Sequence, residues 1–290
     1  LSEIKGAAGE LPALAVTIGN FDGVHRGHQT LLRNLKDNTQ PRGLALVAVT
    51  FTPHPRKILQ SQTEGFLLCG EAQRRRWLTE AGVDWLVELP FTRDFSTLSA
   101  EDFLDQHILV HPALQEIYLG WDFAFGAHKS AGAEQVRAHC ANLPIKVEVC
   151  PRYNVNGHQV SSSMIRDFLA KGSMAEAQEM LGRSFSLEGV VVKGEGRGKR
   201  LGVPTANLKL STDLILPARG VYVSETVSRW MVYRSVTNVG KNPTFKDACP
   251  SWVATHILGF LKRLRDEKKF SSVDELLNQI HRDIGLARDH

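Results

Sequence analysis

The chain of 290 residues has few cysteines and no long apolar run. Each shortage excludes something. The four cysteines, Cys69, Cys140, Cys150 and Cys249, match neither a zinc-site spacing nor a CxxC redox pair. Reduced thiols in a cytoplasmic protein are therefore expected. No apolar stretch approaches the roughly 18 residues that span a bilayer. Residues 1–10 are too polar for the core of a secretory signal. Charge of one sign is also scarce. With 35 basic and 31 acidic residues the net charge is +4, which suits an enzyme of anionic substrates and gives no reason to expect nucleic acid or membrane as a partner. Small-molecule partners are expected, and the oligomeric state is left open. Hydrophobic content of 42% and charged content of 23% are those of a folded globular chain.

What is present begins with Gly19-Asn20-Phe21-Asp22-Gly23-Val24-His25-Arg26-Gly27-His28. This stretch follows an apolar run at 14–18 and precedes leucines at helical spacing in 29–35. Two histidines thus sit where a strand turns into a helix. Free N–H groups and the positive end of a helix dipole make that place suitable for phosphate. Imidazoles there can donate to a phosphate whose charge grows during transfer. No acidic cluster accompanies them, so a metal site is the weaker reading.

Apolar runs at 44–51, 84–89, 116–120 and 145–149 alternate with helical segments at 71–81, 100–109 and 133–141. This alternation predicts a parallel sheet covered on both faces, with ligands beyond the carboxyl ends of its strands. Helices are expected over 164–169 and 173–181. From Phe185 onward short alternating segments punctuated by glycine and proline predict a small antiparallel β-barrel. An amphipathic helix over 274–288 closes the chain. The style changes near 183–186, giving expected domains of 1–183 and 184–290.

Further polar segments lie at predicted strand ends. Phe51-Thr52-Pro53-His54-Pro55-Arg56 reads as an irregular turn offering a stacking surface and a cation. In Gly120-Trp121-Asp122-Phe123-Ala124-Phe125-Gly126 the two phenylalanines alternate with small residues and suit a flat ring. Ser161-Ser162-Ser163 precedes a helix that at least one hydroxyl should cap, and with Arg166 makes a second phosphate cradle. The basic, glycine-rich stretch from Gly194 through Arg197, Gly198 and Lys199 can fold its N–H groups around phosphates, and it lacks the ending of a Walker loop. Thr205 and Asn207 add oxygen donors of the kind Mg²⁺ takes.

The His-x-Gly-His turn resembles the nucleotidyltransferase signature. With TFTPHPRKIL at 50–59, LGWDFAFGAHKSAG at 119–132 and SSSMIRDFL at 161–169, residues 14–182 resemble the adenylyltransferase module of bacterial bifunctional FAD synthetases. The stretch 194–207, the turn at 220–222, TNVGKNPTF at 237–245 and LRDEKKF at 264–270 resemble their riboflavin kinase module. The resemblance implies an α/β nucleotidyltransferase domain with a Rossmann-like parallel sheet, followed by a riboflavin kinase barrel and a C-terminal helix. It implies that FMN attacks ATP to give FAD and pyrophosphate, and that ATP phosphorylates riboflavin, with Mg²⁺ present. His25, His28 and Arg166 are then catalytic. Gly19, Phe21, Asp22, Gly23, Ser162 and Ser163 bind ATP in the first module, and Gly194, Arg197, Gly198 and Lys199 in the second. Phe51, Pro53, His54, Pro55, Arg56, Asp122, Phe123 and Phe125 face flavin in the first module and Arg265 in the second. Thr205 and Asn207 hold the metal.

The chain also departs from the family. Ser163 and Met164 stand where the family often has Thr and Arg, Ala254 stands where it carries the glutamate proposed as the kinase base, and Phe260 runs almost directly into Leu261-Lys262-Arg263-Leu264, where it has an Asp-Leu-Tyr-Gly segment and another strand. A variant reading follows, an adenylyltransferase whose kinase half binds flavin without phosphorylating it. A non-enzymatic flavin sensor is a third, against which the intact His25, His28 and Arg166 argue.

Overall fold

The computed structural model describes residues 12–60, 64–126, 131–192, 205–228, 231–240, 252–254 and 259–266, together with Lys268, Ser272, Glu275, Asn278, Gln279, Arg282 and Asp283. The chain divides into two compact units, residues 1–63 with 71–159, and residues 64–70 with 160–290.

The first unit is built on a parallel sheet of β1 (Leu14–Ile18), β2 (Ala45–Thr52), β3 (Trp85–Pro90), β4 (Leu114–Gly120) and a fifth member, β7 (Lys146–Cys150). Their order is β3-β2-β1-β4-β7. Two short hairpins, β5 (Ala124–Phe125) with β6 (Ala131–Gly132) and β8 (Asn154–Val155) with β9 (His158–Gln159), lie on either side of β7 in the chain. β1 is buried along its whole length because neighbours pair on both edges and helices cover both faces. Side-chain alternation divides its contacts. Leu14, Val16 and Ile18 join Val47, Val49, Ile117 and Leu119 in one core beneath Phe103, Leu104, Ile108 and Val136. Ala15 joins Leu46, Ala48 and Tyr118 in the other, beneath Leu32 and Leu35 of α1 (Arg26–Thr39) and Leu78 of α3 (Glu71–Glu80).

The chain proceeds from β1 outward to β2 and β3, then crosses back to the other side of β1. The strand order therefore reverses between β1 and β4, the place in such sheets where ligands bind beyond the carboxyl ends. The 19–28 stretch begins there.

Two expectations are corrected in this unit. Residues 53–56 are not only an irregular turn. After a cis Thr52–Pro53 bond, α2 (Pro55–Leu59) begins with Pro55 in its first turn and His54 as its cap. Proline is tolerated there because that N–H has no helical partner in any case. The helix expected over 100–109 is α4 (Ala100–Phe103), capped by Ser99, running into one π-helical turn over Leu104–Ile108. The Leu109 N–H donates to the Leu104 carbonyl five residues back, at 2.8 Å. The remaining helix, α5 (Ala133–His139), precedes β7.

The second unit carries a six-stranded antiparallel sheet in the order β10 (Val190–Val192), β11 (Asn207–Lys209), β14 (Trp252–Ala254), β13 (Met231–Gly240), β12 (Gly220–Ser228), β15 (Gly259–Arg265). β11, β14 and β15 are too short or too polar to show a period of two in the sequence. Tyr222 is fully buried, and its hydroxyl donates to the Ala218 carbonyl. Ser224, Thr226, Ser235 and Thr237 bond to one another across the β12–β13 pair, which satisfies hydroxyls that are otherwise buried. Glu275, Asn278, Gln279, Arg282 and Asp283 are helical, as the C-terminal pattern predicts.

α6 (Ser162–Lys171) and α7 (Met174–Leu181) cluster with this unit, as does the 64–70 segment. That segment donates from Gly65 and Phe66 to the carbonyls of Thr212 and Asp213, both at 2.9 Å. The change of sequence style near 183 and the division by compactness thus fall at different places.

Candidate active site

The turn after β1 is shaped by residues that sequence patterns do not usually permit. Phe21 and Val24 have positive φ, 49° and 36°, and Gly23 has 77°. A phenylalanine and a β-branched valine in that region cost about 1–3 kcal/mol each. Their side chains are almost wholly buried, Phe21 at 2% and Val24 at 0% exposure, in the core beneath α1. Full burial of such groups contributes about 1.5–3 kcal/mol each, enough to hold the strained backbone. The Val24 N–H donates to the Phe21 carbonyl at 3.1 Å, and the Gln29 amide donates to the Val24 carbonyl at 2.8 Å. Asp22 is buried.

His25 is the N-cap of α1. Its Nδ1 accepts from the His28 N–H at 3.4 Å. An Nδ1 that accepts leaves the proton on Nε2 in the neutral ring. The rings of His25 and His28 stack at 3.7 Å between centroids, 14° from parallel, and Phe21 meets His28 edge-on at 5.2 Å. Gly27 explains itself here: a Cβ would stand 3.2 Å from the His25 ring. The small residue between the histidines lets the rings stack over the first turn of α1.

A second group lies at the end of β2. Phe51 meets Phe91, Phe95 and Phe103 at 5.7, 6.0 and 6.1 Å, Phe103 meets Phe125 at 5.5 Å, and Phe125 stacks on Phe123 at 5.0 Å. The two aromatic segments singled out in the sequence are thus joined through Phe103. Phe125 belongs to the core, with Phe51 and Phe123 partly buried against it. Pro53, His54, Pro55 and Arg56 are half-buried around the start of α2, and Asp122 is exposed. His54 Nδ1 accepts from the Arg56 N–H at 3.1 Å, and Arg56 Nε donates to Gln60 at 2.6 Å. Sequence reading missed Phe91, Phe95, Phe103 and His107. The i, i+4 spacing of Phe103 and His107 was the available signal. His107 lies 5.1 Å from Phe95 and 5.9 Å from Phe103, and burial holds its pKa below the usual histidine value.

In the second unit Ser161 caps α6, accepting from the Met164 N–H at 3.3 Å, while Ser162 and Ser163 form its first turn. Arg166 Nε donates to the Phe66 carbonyl at 2.6 Å, which fixes its direction. Thr205 is exposed at the entrance to β11, whose first residue, Asn207, is buried. Asn207 pairs with Ala254, and Ala254 with Asn238, so these positions form one row across three strands. The Asn238 Oδ1 is buried with no hydrogen-bond partner among the described residues. Oxygen donors of this kind fit a hard cation such as Mg²⁺ better than a thiolate- or imidazole-seeking metal. Arg265 ends β15 opposite Val221. Gly194, Arg197, Gly198 and Lys199 lie outside the described residues.

Comparison with known proteins shows the family. The FAD synthetase family profile matches residues 8–164, and the riboflavin kinase profile matches residues 181–290. A bifunctional riboflavin kinase/FMN adenylyltransferase of Escherichia coli K12 is 31% identical, covering 94% of this chain and 91% of its own. One from Bacillus subtilis 168 is 29% identical over 92% and 89%. A Streptococcus pneumoniae crystal structure titled as a macrolide-efflux protein superposes with a TM-score of 0.86 at 30% identity, covering 100% of this chain and 97% of that one. No helix among the described residues is long and apolar enough to cross a membrane. Two profiles in succession, and relatives matched over nearly their whole length, place the chain in the bifunctional riboflavin kinase/FMN adenylyltransferase family, enzymes of FAD biosynthesis.

Proposed function

We propose that residues 1–183 carry adenylyl transfer and residues 184–290 riboflavin phosphorylation, with the roles of individual side chains as follows. An FMN phosphate oxygen attacks the α-phosphorus of ATP, the bond to the bridging oxygen of the β-phosphate breaks, and pyrophosphate leaves. Such a reaction needs in-line placement and charge neutralisation more than a covalent intermediate. The observation that carries the reading is the His25–His28 stack on the first turn of α1, with His25 Nδ1 accepting from the His28 N–H. His25 and His28 donate to phosphate oxygens as charge develops on them. Gly19, Phe21, Asp22 and Gly23 shape the nucleotide site. Arg166, Ser162 and Ser163 take the phosphate-binding role that the family implies. The Phe51–Arg56 and Asp122–Phe125 segments face the flavin, with Phe103 behind them. A crystal structure with FMN and a non-hydrolysable ATP analogue tests this. The isoalloxazine is expected against Phe51 and Phe123, and the triphosphate over His25 and His28. FMN bound away from Phe51 and Phe123 overturns the flavin assignment.

In the kinase half, Thr205 and Asn207 would hold Mg²⁺, supported by the Asn238 Oδ1 in the same row, which is buried with no partner among the described residues. When bound, the ion neutralises phosphate charge. Thr205→Ala is expected to weaken one of two calorimetric MgADP sites by roughly ten- to a hundred-fold, the 1.5–3 kcal/mol of a charge-assisted contact. FAD formation from supplied FMN stays intact. Equal damage to both activities counts against separate sites.

One observation favours a narrower second reading. Ala254 occupies the row between Asn207 and Asn238 with a methyl group, where the family has a glutamate. The kinase half then binds ATP and flavin but phosphorylates slowly.

A further inference from the structure

Arg74 belongs to no motif, yet it is almost completely buried on α3, with 5% of its surface exposed. A buried guanidinium is costly unless its donors are met. Here both terminal nitrogens find acceptors at the carboxyl ends of three strands, while Nε, also buried, has none among the described residues. Nη2 donates to the Thr52 hydroxyl at 2.9 Å and to the Glu88 carboxylate of β3 at 3.0 Å. Nη1 donates to the Phe51 carbonyl at 3.3 Å and, more distantly, to the Asn20 carbonyl at 3.5 Å. The Thr50 hydroxyl donates to the same Asn20 carbonyl at 3.3 Å. Asn20 opens the histidine turn, and Phe51 and Thr52 lead into the Pro53–Arg56 segment.

Glu88 is itself held. Thr52 also donates to it at 3.2 Å, and Arg75 Nε does so from outside at 2.6 Å. Burial alone would raise the Glu88 pKa, but the hydrogen bonds from Arg75 and Arg74 outweigh it and keep the carboxyl below its usual range. The guanidinium therefore faces a charged partner throughout the neutral range.

We infer that Arg74 is a positioning residue for adenylyl transfer: its planar fork locks the start of the phosphate-binding turn to the start of the flavin-facing segment, setting the distance between the two reactants. This rests on the roles proposed above for residues 19–28 and 51–56. The fork matters, because no lysine can reach hydroxyl, carboxylate and two carbonyls at once from one ammonium. Misplacement of reactants by about 1 Å costs roughly a hundred-fold in rate, so the loss should fall on kcat.

The test compares Arg74→Lys with Leu78→Val in the full chain. Leu78 is fully buried on the same helix and makes no bond to the strand ends. Arg74→Lys is expected to lower kcat for FAD formation by about ten- to a hundred-fold and to speed amide exchange at 20–28 and 51–57, whereas Leu78→Val lowers the melting temperature with kcat and those amides unchanged. The amide readout does not depend on which ligand occupies the turn, so a misassigned ligand and a misassigned Arg74 give different results. Unchanged exchange, unchanged kcat, or an equal kcat loss in Leu78→Val overturns the inference. Should Arg74→Lys not fold, Glu88→Gln gives the same reading, with a smaller loss of kcat and faster exchange at the same amides; its absence overturns the inference equally.

Discussion

Replacing His28 by alanine is expected to lower FAD formation from FMN and ATP by about a hundred-fold or more, the usual effect of losing one donor to a developing charge. The reason lies in the turn. His28 presents its imidazole from the first helical turn, where the helix dipole favours anions. His25 stacks on it at 3.7 Å and spends Nδ1 on the His28 N–H, so the two rings are placed as a unit. Removing the His28 ring leaves that backbone bond in place, so the turn should keep its shape and ATP should still bind. The loss is therefore expected in kcat more than in the KM for ATP, which steady-state kinetics with separation of FMN and FAD by chromatography will measure. Wild-type turnover in His28→Ala would falsify the assigned role.

Restoring a carboxylate in the kinase half is expected to have a still larger effect, in the opposite direction. Phosphoryl transfer to a neutral hydroxyl gains from a base that orients the nucleophile and accepts its proton. Position 254 pairs with Asn207 on one side and Asn238 on the other. Directly paired residues in an antiparallel sheet lie about 4.5–5.5 Å apart between Cα atoms, which puts a base at 254 beside the proposed metal ligand Asn207. Alanine supplies no proton acceptor there. Ala254→Glu should raise phosphorylation of riboflavin by roughly two to four orders of magnitude and leave FAD formation from supplied FMN as it was. The assay incubates riboflavin, ATP and Mg²⁺ and separates riboflavin, FMN and FAD. If the protein already phosphorylates riboflavin at a rate that Ala254→Glu does not improve, the base is not at this position.

The parallel sheet was legible because its strands are buried on both faces. Burial on both faces demands continuous apolar runs, and the runs at 14–18 and 44–51 became β1 and β2 within a residue of expectation. The antiparallel strands were harder. β11 and β14 are three residues each, and β15 reads GFLKRLR, so pairing with neighbours rather than any local pattern makes them strands. Residues 53–56 misled because two prolines suggest only a break, whereas a proline in the first turn of a helix starts one.

The sequence by itself determined the succession of two domain styles, the family, and the residues that could do chemistry: a glycine-bearing histidine turn, aromatics at strand ends, hydroxyls before a helix, and a missing carboxylate at 254. These are local signals, carried by spacing and by side-chain type. Only the tertiary structure decided that His25 spends one nitrogen as a cap, that Phe103 joins Phe51 to Phe125, and that Arg74 reaches the ends of three strands. The last two depend on contacts between residues from 14 to 54 positions apart, and a buried arginine reads in the sequence like any solvated one. What distinguishes it is the set of acceptors that folding brings to it.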